Sequence, residues 1–294
     1  MKTTPNRLSL IAFCLLGIIW GSNFIYMKKA AELISPTQIV FFRVLFGFIP
    51  VIIYSSFAGV LSFKHLRHIG HFFVMALLAT TIYYYGFAKG TSLLLSGVAG
   101  AVSGSIPLFS FLLAVIFITE EKISKLRISG VLIGFIGVIV MGRPSGQDLL
   151  ATNMEGVLYM VAGSLSVGAS FVYAKKFIIP LKIPAAALTT YQLGVGLLLL
   201  AIITDYNGIN NIWTETHTSI GLIVGLGLLG TGLAYIIYYF IVKNLGAVAA
   251  SSVTYIPPVV ALIIGSLIVG EPIEVLDFGA TFLIFTGVFL LKYE

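Results

Sequence analysis

Apolar side chains run through this chain in blocks of about twenty, parted by short polar interruptions. A helix rising about 1.5 Å per residue needs roughly 20 apolar residues to cross some 30 Å of hydrocarbon. Ten blocks approach or reach that length: residues 8–27, 36–57, 69–88, 93–118, 126–142, 155–174, 184–204, 218–241, 245–269 and 276–291. The pattern predicts an all-α integral membrane protein of ten transmembrane helices. The links at 28–35 and 270–275 are too brief to hold a soluble domain, and the longer breaks at 143–153 and 205–217 carry turn-forming Gly, Asn, Asp and Pro.

Composition agrees. Of 294 residues, 59% are hydrophobic and 10% charged, whereas soluble domains run at about 45–50% apolar and about 25% charged. With a mean hydropathy of +1.06, too few polar groups remain to clothe a water-facing surface. The net charge of +6 would raise nucleic acid as a partner in a soluble protein. Here the basic residues sit in short loops between apolar runs, where they read as topology signal, so no nucleic-acid partner is expected. Cys14 is the single cysteine, which excludes an internal disulfide and any cysteine metal site. Lys2 and Arg7 before the first run resemble the start of a signal peptide. That run continues to Met27 with no small-residue cleavage site, so it is expected to be the first helix of the mature protein.

Counting Lys and Arg on alternate sides orients the chain. With a cytoplasmic N-terminus, twelve basic residues fall inside against four outside (Lys28, Lys29, Lys89 and Arg143), leaving Arg43 within a span. Both termini are therefore expected in the cytoplasm.

The chain also repeats itself. Residues 105–142 lie against 255–292 at a constant offset of 150 with ten identities, among them Pro107/Pro257, Glu121/Glu271 and Gly137/Gly287. Trp20-Gly-Ser-Asn-Phe-Ile-Tyr-Met-Lys-Lys29 mirrors Val167-Gly-Ala-Ser-Phe-Val-Tyr-Ala-Lys-Lys176. Two five-helix repeats, 8–142 and 154–292, are expected within one membrane domain. An odd number of crossings inserts the second copy upside down. Such inverted repeats recur in secondary transporters, where symmetric halves expose a central site to each face in turn.

Few residues in the spans can carry chemistry. Pro107 and Pro257 fall mid-span in both halves, where a missing N–H and a ring clash break the helix, and they are candidate hinges. Arg43 lies about seven residues inside the second span, where a charge costs roughly 2.5–3.5 kcal/mol unless it finds water, a partner or an anion. A substrate carboxylate and a structural hydrogen bond are equal readings of it. Glu32, Glu120, Glu121, Glu155, Asp205, Glu271, Glu274 and Asp277 fall near span ends or in loops, so no intramembrane proton relay is visible. Tyr235, Tyr238 and Tyr239 share one face of the eighth span, the offset of 150 pairs Tyr85 with Tyr235, and Tyr83–Tyr85 sweep enough of the third span that at least one points inward. Tyr83, Tyr85, Tyr235, Tyr239 and Tyr255 are candidate stacking and hydrogen-bonding groups, against an interfacial belt as the plainer reading. Ser103 and Ser170 are candidate lining groups, although interhelical bonding is the usual work of membrane serines. Gly100/Gly104 and Gly130/Gly134 have the spacing for close helix packing. His65, His68 and His71 at a solvated edge lack a carboxylate or thiol beside them, so no metal is expected.

Trp20-Gly21-Ser22-Asn23-Phe24, Arg43 and the Pro-then-Glu pattern at Pro107/Glu121 and Pro257/Glu271, set in a duplicated ten-span chain, resemble the EamA-type members of the drug/metabolite transporter superfamily. The resemblance covers the whole chain, departing at Glu120-Glu121-Lys122 where the family more often has Gly-Glu, as in Gly270-Glu271. It adds Trp20 and Asn23 to the candidate substrate-binding residues. It implies a cavity lined mainly by helices one, three and four and by six, eight and nine, in an inner-membrane protein that exports amino acids or similar metabolites. The partners are then a small-molecule substrate and the lipid bilayer, the protein acting as a monomer or homodimer without a cofactor. An uptake carrier or channel-like facilitator is the alternative. No nucleophile triad, paired intramembrane acids or phosphate-binding loop supports an enzyme.

Overall fold

The computed structural model describes residues 7–118, 124–142, 153–245 and 252–291. Their secondary structure is helical, with no strand among them: α1 Arg7–Ala30, α2 Pro36–Phe57, α3 Phe63–Leu93, α4 Ser96–Phe117, α5 Lys125–Gly142, α6 Met154–Leu181, α7 Ala185–Ile203, α8 Thr216–Leu245, α9 Val253–Val269 and α10 Val275–Leu290. Seven of them, α1–α4 and α6–α8, are long and apolar enough to cross a membrane, and α9 and α10 are shorter apolar helices. Glu120, Glu121, Lys122 and Arg143 lie outside the described residues.

Local chemistry sets the helix starts. Ser35 caps α2 in a reciprocal box with Gln38, and Pro36 occupies the first helical position, where its missing N–H costs nothing. Asn153 caps α6 through the Gly156 N–H. Gly270 ends α9 in the left-handed region at φ 73°, which suits a residue without Cβ. Four helices carry π-turns: α3 at Leu77–Thr81, α6 at Ala174–Ile178, α8 at Gly221–Leu233 and α9 at Ile264–Val269. A widened turn frees carbonyls, and side chains take them up: Ser166 Oγ donates to Leu78 O at 2.7 Å, and Thr231 Oγ1 to Leu226 O at 3.1 Å.

The principal neighbours are α5 with α10, α2 with α8, α3 with α6, α4 with α9, α2 with α7, α4 with α6, α1 with α9, α1 with α8 and α3 with α7. Exchanging every helix for the one five places away maps this set of pairs onto itself. Glycine makes several seams possible. A Cβ on Gly287 would collide with Gly130 O, and one on Gly86 would stand 2.7 Å from Tyr159 O. Large apolar side chains face outward, with Phe63 91% exposed and Val275 87%. Water would not tolerate that exterior, whereas lipid requires it.

Helix ends alternate between two faces of the bundle. On the face where α1 and α3 end and α2 and α4 begin, polar ties close the structure. Gln38 Nε2 donates to Asp205 O and Asn207 O at 2.7 and 2.9 Å, and Lys28 Nζ donates to Ser92 O at 3.2 Å. Glu271 accepts from the Ser96 and Gly97 N–H groups at 2.8 and 3.0 Å, binding the end of α9 to the first turn of α4. A carboxylate there meets two orphan donors and the positive end of the helix dipole. Glu271→Ala should therefore cost about 2–3 kcal/mol and Glu271→Gln about half of that, measured as unfolding of the purified protein in detergent. Equal stability of all three proteins would contradict the assignment.

Candidate functional site

A cavity of about 530 Å³ lies between the helices, within the size range of small-molecule sites. It reaches from Met27, Arg43 and Phe87 at its deep end to Ala185, Leu188 and Thr254, which lie at or near the first residues of α7 and α9. This end, where Ala185 is exposed, lies away from the polar ties. Every helix from α1 to α9 except α5 contributes to its wall.

Arg43 is 4% exposed and forms part of the deep end. Its Nε donates to Thr231 Oγ1 at 3.0 Å, its Nη1 approaches Met27 Sδ at 3.9 Å, and its guanidinium lies 3.7 Å over the Tyr84 ring. Among the described residues it has no carboxylate partner, in contrast to Lys29, which pairs with Glu32 at the surface. Arg43 is also the sole charged side chain among the described residues that line the cavity. The expectation of an isolated intramembrane cation thus corresponds to a guanidinium held by a hydroxyl, a thioether and a π face.

Aromatic rings form the walls. Trp20 and Tyr238 have centroids 6.1 Å apart, and Tyr235 and Tyr239 are stacked at 6.2 Å with 24° between planes. Tyr239 is hydrogen-bonded to Thr189 of α7. Tyr83 packs edge-on against Phe87 at 4.6 Å, and Phe24 meets Phe87 at 5.9 Å, narrowing the deep end. Ser103 and Ser170 donate to carbonyls of their own helices, Gly100 O at 2.5 Å and Val167 O at 2.7 Å. Their donors are spent, so each offers the cavity an acceptor oxygen. Asn23 donates to Gly230 O at 3.4 Å, while its Oδ1 is buried without a partner. A Cβ on residue 230 would collide with Asn23 Oδ1, so only glycine allows that approach.

Trp20, Asn23, Arg43, Tyr83, Ser103, Ser170, Tyr235, Tyr239 and Tyr255, with Pro107 and Pro257, all line this one space. Tyr85 does not. It turns outward to meet Tyr159 edge-on at 6.1 Å, and Tyr84 takes the inward position beside Arg43. A step of one residue turns a helix side chain by about 100°, and the constant offset that paired Tyr85 with Tyr235 therefore chose the wrong face of α3. Pro107 stands in the first turn of the helical segment Ile106–Phe117, after a break in α4 at Gly104–Ser105. Pro257 likewise opens Ile256–Ile263 after a 3-10 turn. Both prolines mark interruptions, although Pro257 lies near the start of α9 as described rather than at its middle. The lining also includes Tyr84, Thr189, Gln192 and Tyr238, which the sequence pattern does not select as binding residues. For Thr189 and Gln192 the available signal is the run Thr189-Thr190-Tyr191-Gln192, polar within an apolar span. Tyr235→Ala should raise the half-saturation concentration of the transported solute about tenfold through lost stacking area, about 1–1.5 kcal/mol. An unchanged value would remove the ring from the site.

A second cavity of about 420 Å³ is lined by Tyr255 and by Phe282, Phe285, Thr286, Val288 and Phe289 of α10. None of these described residues is charged, and the central space is the better candidate.

The EamA-like transporter family profile matches residues 7–143 and 154–293. An uncharacterized transporter of Archaeoglobus fulgidus is 23% identical over 96% of this chain and 97% of its own length. The uncharacterized inner membrane transporter YedA of Escherichia coli K12 is 26% identical over 94% and 88%. An S-adenosylmethionine uptake transporter of Rickettsia conorii is 27% identical over 97% and 92%. A solved crystal structure aligns over 98% of this chain and 97% of its own with a TM-score of 0.65 at 19% identity, which bears on the fold alone. With a family match across nearly its whole length, an apolar helical exterior and a central cavity, this chain belongs to the EamA-like transporter family and is a multi-pass membrane transporter, not an enzyme.

Proposed function

We propose that the protein is a secondary transporter that exports a small amphipathic metabolite of amino-acid size across the inner membrane by alternating access. In this reading ten spans form two inverted five-helix repeats, residues 8–142 and 154–292, with both chain ends cytoplasmic. The self-exchanging set of helix neighbours carries it. A pseudo-twofold axis in the membrane plane demands that each contact between one pair of helices recur between the pair five places on, as α1 with α8 recurs as α6 with α3. The division of the family match into two stretches and the excess of Lys and Arg on one side support the same reading.

Under that orientation the cavity opens at its Ala185 and Thr254 end to the cytoplasm, and the ties of Gln38, Lys28 and Glu271 close the outer face. Pro107 and Pro257, each at a helix interruption, act as the hinges. Trp20, Asn23, Arg43, Tyr83, Tyr235 and Tyr239 hold the substrate, while Tyr85 serves packing.

Two-sided labelling tests the cycle. With Cys14→Ala as background, Ser170→Cys should react with an impermeant thiol reagent from the cytoplasmic side and, on a substrate gradient, from the outer side as well. Reporter fusions should place both ends in the cytoplasm. Ends on opposite faces, or flux that never saturates and shows no counterflow, would defeat the proposal. The Rickettsia relative's name concerns uptake, and net inward movement in oriented vesicles would reverse the direction assigned here.

A further inference from the structure

The cavity wall is unbalanced in charge. Arg43 contributes a full positive charge at the deep end, and no described lining residue is acidic. A buried guanidinium is ordinarily paired, most simply with a carboxylate. Here its partners are Thr231 Oγ1, Met27 Sδ and the Tyr84 ring. Of its five N–H groups, the Nε–H meets oxygen at 3.0 Å and one Nη1–H meets sulfur at the long distance of 3.9 Å. The remaining donors have no protein acceptor among the described residues. The fork geometry they present is the one that receives a carboxylate with two parallel hydrogen bonds. The same cavity presents flat apolar surfaces, Tyr235 stacked with Tyr239 and Trp20 tilted against Tyr238.

We infer that the transported species is a ring-bearing organic monoanion, its carboxylate seated on Arg43 and its ring among the tyrosines, and that the membrane potential drives it outward. The inference rests on the carrier reading above and deepens it. A substrate of charge −1 neutralises the cavity, so the loaded carrier turns over without a buried net charge. A zwitterion leaves the cavity at +1 and a cation raises it to +2. The described lining residues include no carboxylate to carry a coupling proton, and a monoanion needs none. In a cell negative inside, each 100 mV supports about a 50-fold outward gradient of a monovalent anion. Export is then the spontaneous direction.

The test uses the full-length protein in phosphatidylcholine liposomes, with a potassium gradient and valinomycin setting the potential. Three probes share one ring and differ in charge: 3-phenyllactate, phenylalanine and, in mildly acidic buffer, protonated phenylalaninamide. Expected are saturable, protein-dependent flux of phenyllactate toward the positive side, at least about tenfold faster than that of phenylalaninamide, and a rate that rises with the potential. Arg43→Lys should keep this order of preference, and Arg43→Gln should bring the anion-to-cation ratio to about one. Equal or faster saturable flux of phenylalanine or phenylalaninamide overturns the inference and leaves the carrier reading standing. Absence of protein-dependent flux for all three also overturns it, and the carrier reading is then judged by the two-sided labelling of Ser170→Cys. Phenyllactate flux indifferent to the potential overturns the assigned driving force.

Discussion

Arg43→Gln is expected to lower transport about 100-fold while leaving the folded protein as stable as its parent to within about 1 kcal/mol. The split arises from the surroundings of the guanidinium. Removing one member of a buried ion pair costs about 3–5 kcal/mol because the other charge is stranded. No described carboxylate is paired with Arg43, so nothing is stranded when it goes. Thr231 retains its bond to Leu226 O, and its hydroxyl is not orphaned. The losses are a cation–π contact of about 2 kcal/mol and a hydrogen bond of about 1 kcal/mol. Against them stands the cost of a charge at this depth, about 2.5–3.5 kcal/mol, which the variant no longer bears. The two sides nearly cancel. Thermal unfolding in detergent and initial rates in liposomes, each normalised to folded protein, measure both quantities. A loss of more than about 3 kcal/mol in stability with transport per folded molecule intact would make Arg43 structural and empty the substrate site of its anchor.

The spans are legible in the sequence because the bilayer imposes one length on every crossing. Residues 36–57 are placed at both ends, since Ser35-Pro36 is a start signal and the apolar run stops at Phe57. Departures have local causes. The sixth helix continues to Leu181 rather than stopping at 174, because a π-turn carries Lys175 and Lys176 past the apolar run and Lys176 Nζ reaches Phe117 O at 3.3 Å. The third begins at Phe63, where Ser62 caps a 3-10 turn too polar to count as membrane-spanning. Identity of the cavity residues is legible where a side chain is costly in lipid, as for Arg43, whereas Trp20 and Asn23 are reached through the family resemblance alone. It is lost where the face of a helix decides the matter. The π-turn at Leu77–Thr81 just before Tyr83 shifts the angular register of the residues after it, so a regular wheel cannot tell Tyr84 from Tyr85. The contribution of α7, through Thr189 and Gln192, is also hidden, since Gln192 is bonded to Thr80 Oγ1 at 2.9 Å and reads equally well as helix-to-helix bonding.

Gly86→Ala should abolish transport and destabilise the protein by at least about 2 kcal/mol, whereas Gly221→Ala, at the exchanged seam, should be tolerated. In the five-place exchange, α3 against α6 corresponds to α8 against α1. The two seams are built differently. At Gly86 an added Cβ meets only backbone: Tyr159 O at 2.7 Å, Gly163 N at 2.9 Å and Gly163 Cα at 3.0 Å. Backbone cannot step aside, so the helices must separate along the seam and forfeit dispersion contacts over several turns. The gain of about 1 kcal/mol in helix propensity on replacing glycine by alanine does not offset that loss. At Gly221 the nearest atom is Cδ1 of the Tyr26 ring at 2.9 Å, with the next at 3.5 Å. A ring can tilt by a few tenths of an ångström while the helix axes stay in place. Tyr83, Tyr84 and Phe87 all stand on the helix that Gly86 holds against α6, so a shifted α3 also misplaces the floor of the cavity around Arg43. The paired substitutions therefore separate a fold that transmits motion through backbone contact from one that merely fills space. Equal tolerance at both positions, in yield of monodisperse protein and in rate, would show that the α3–α6 seam has slack and that the close approach of its backbones is not needed for transport.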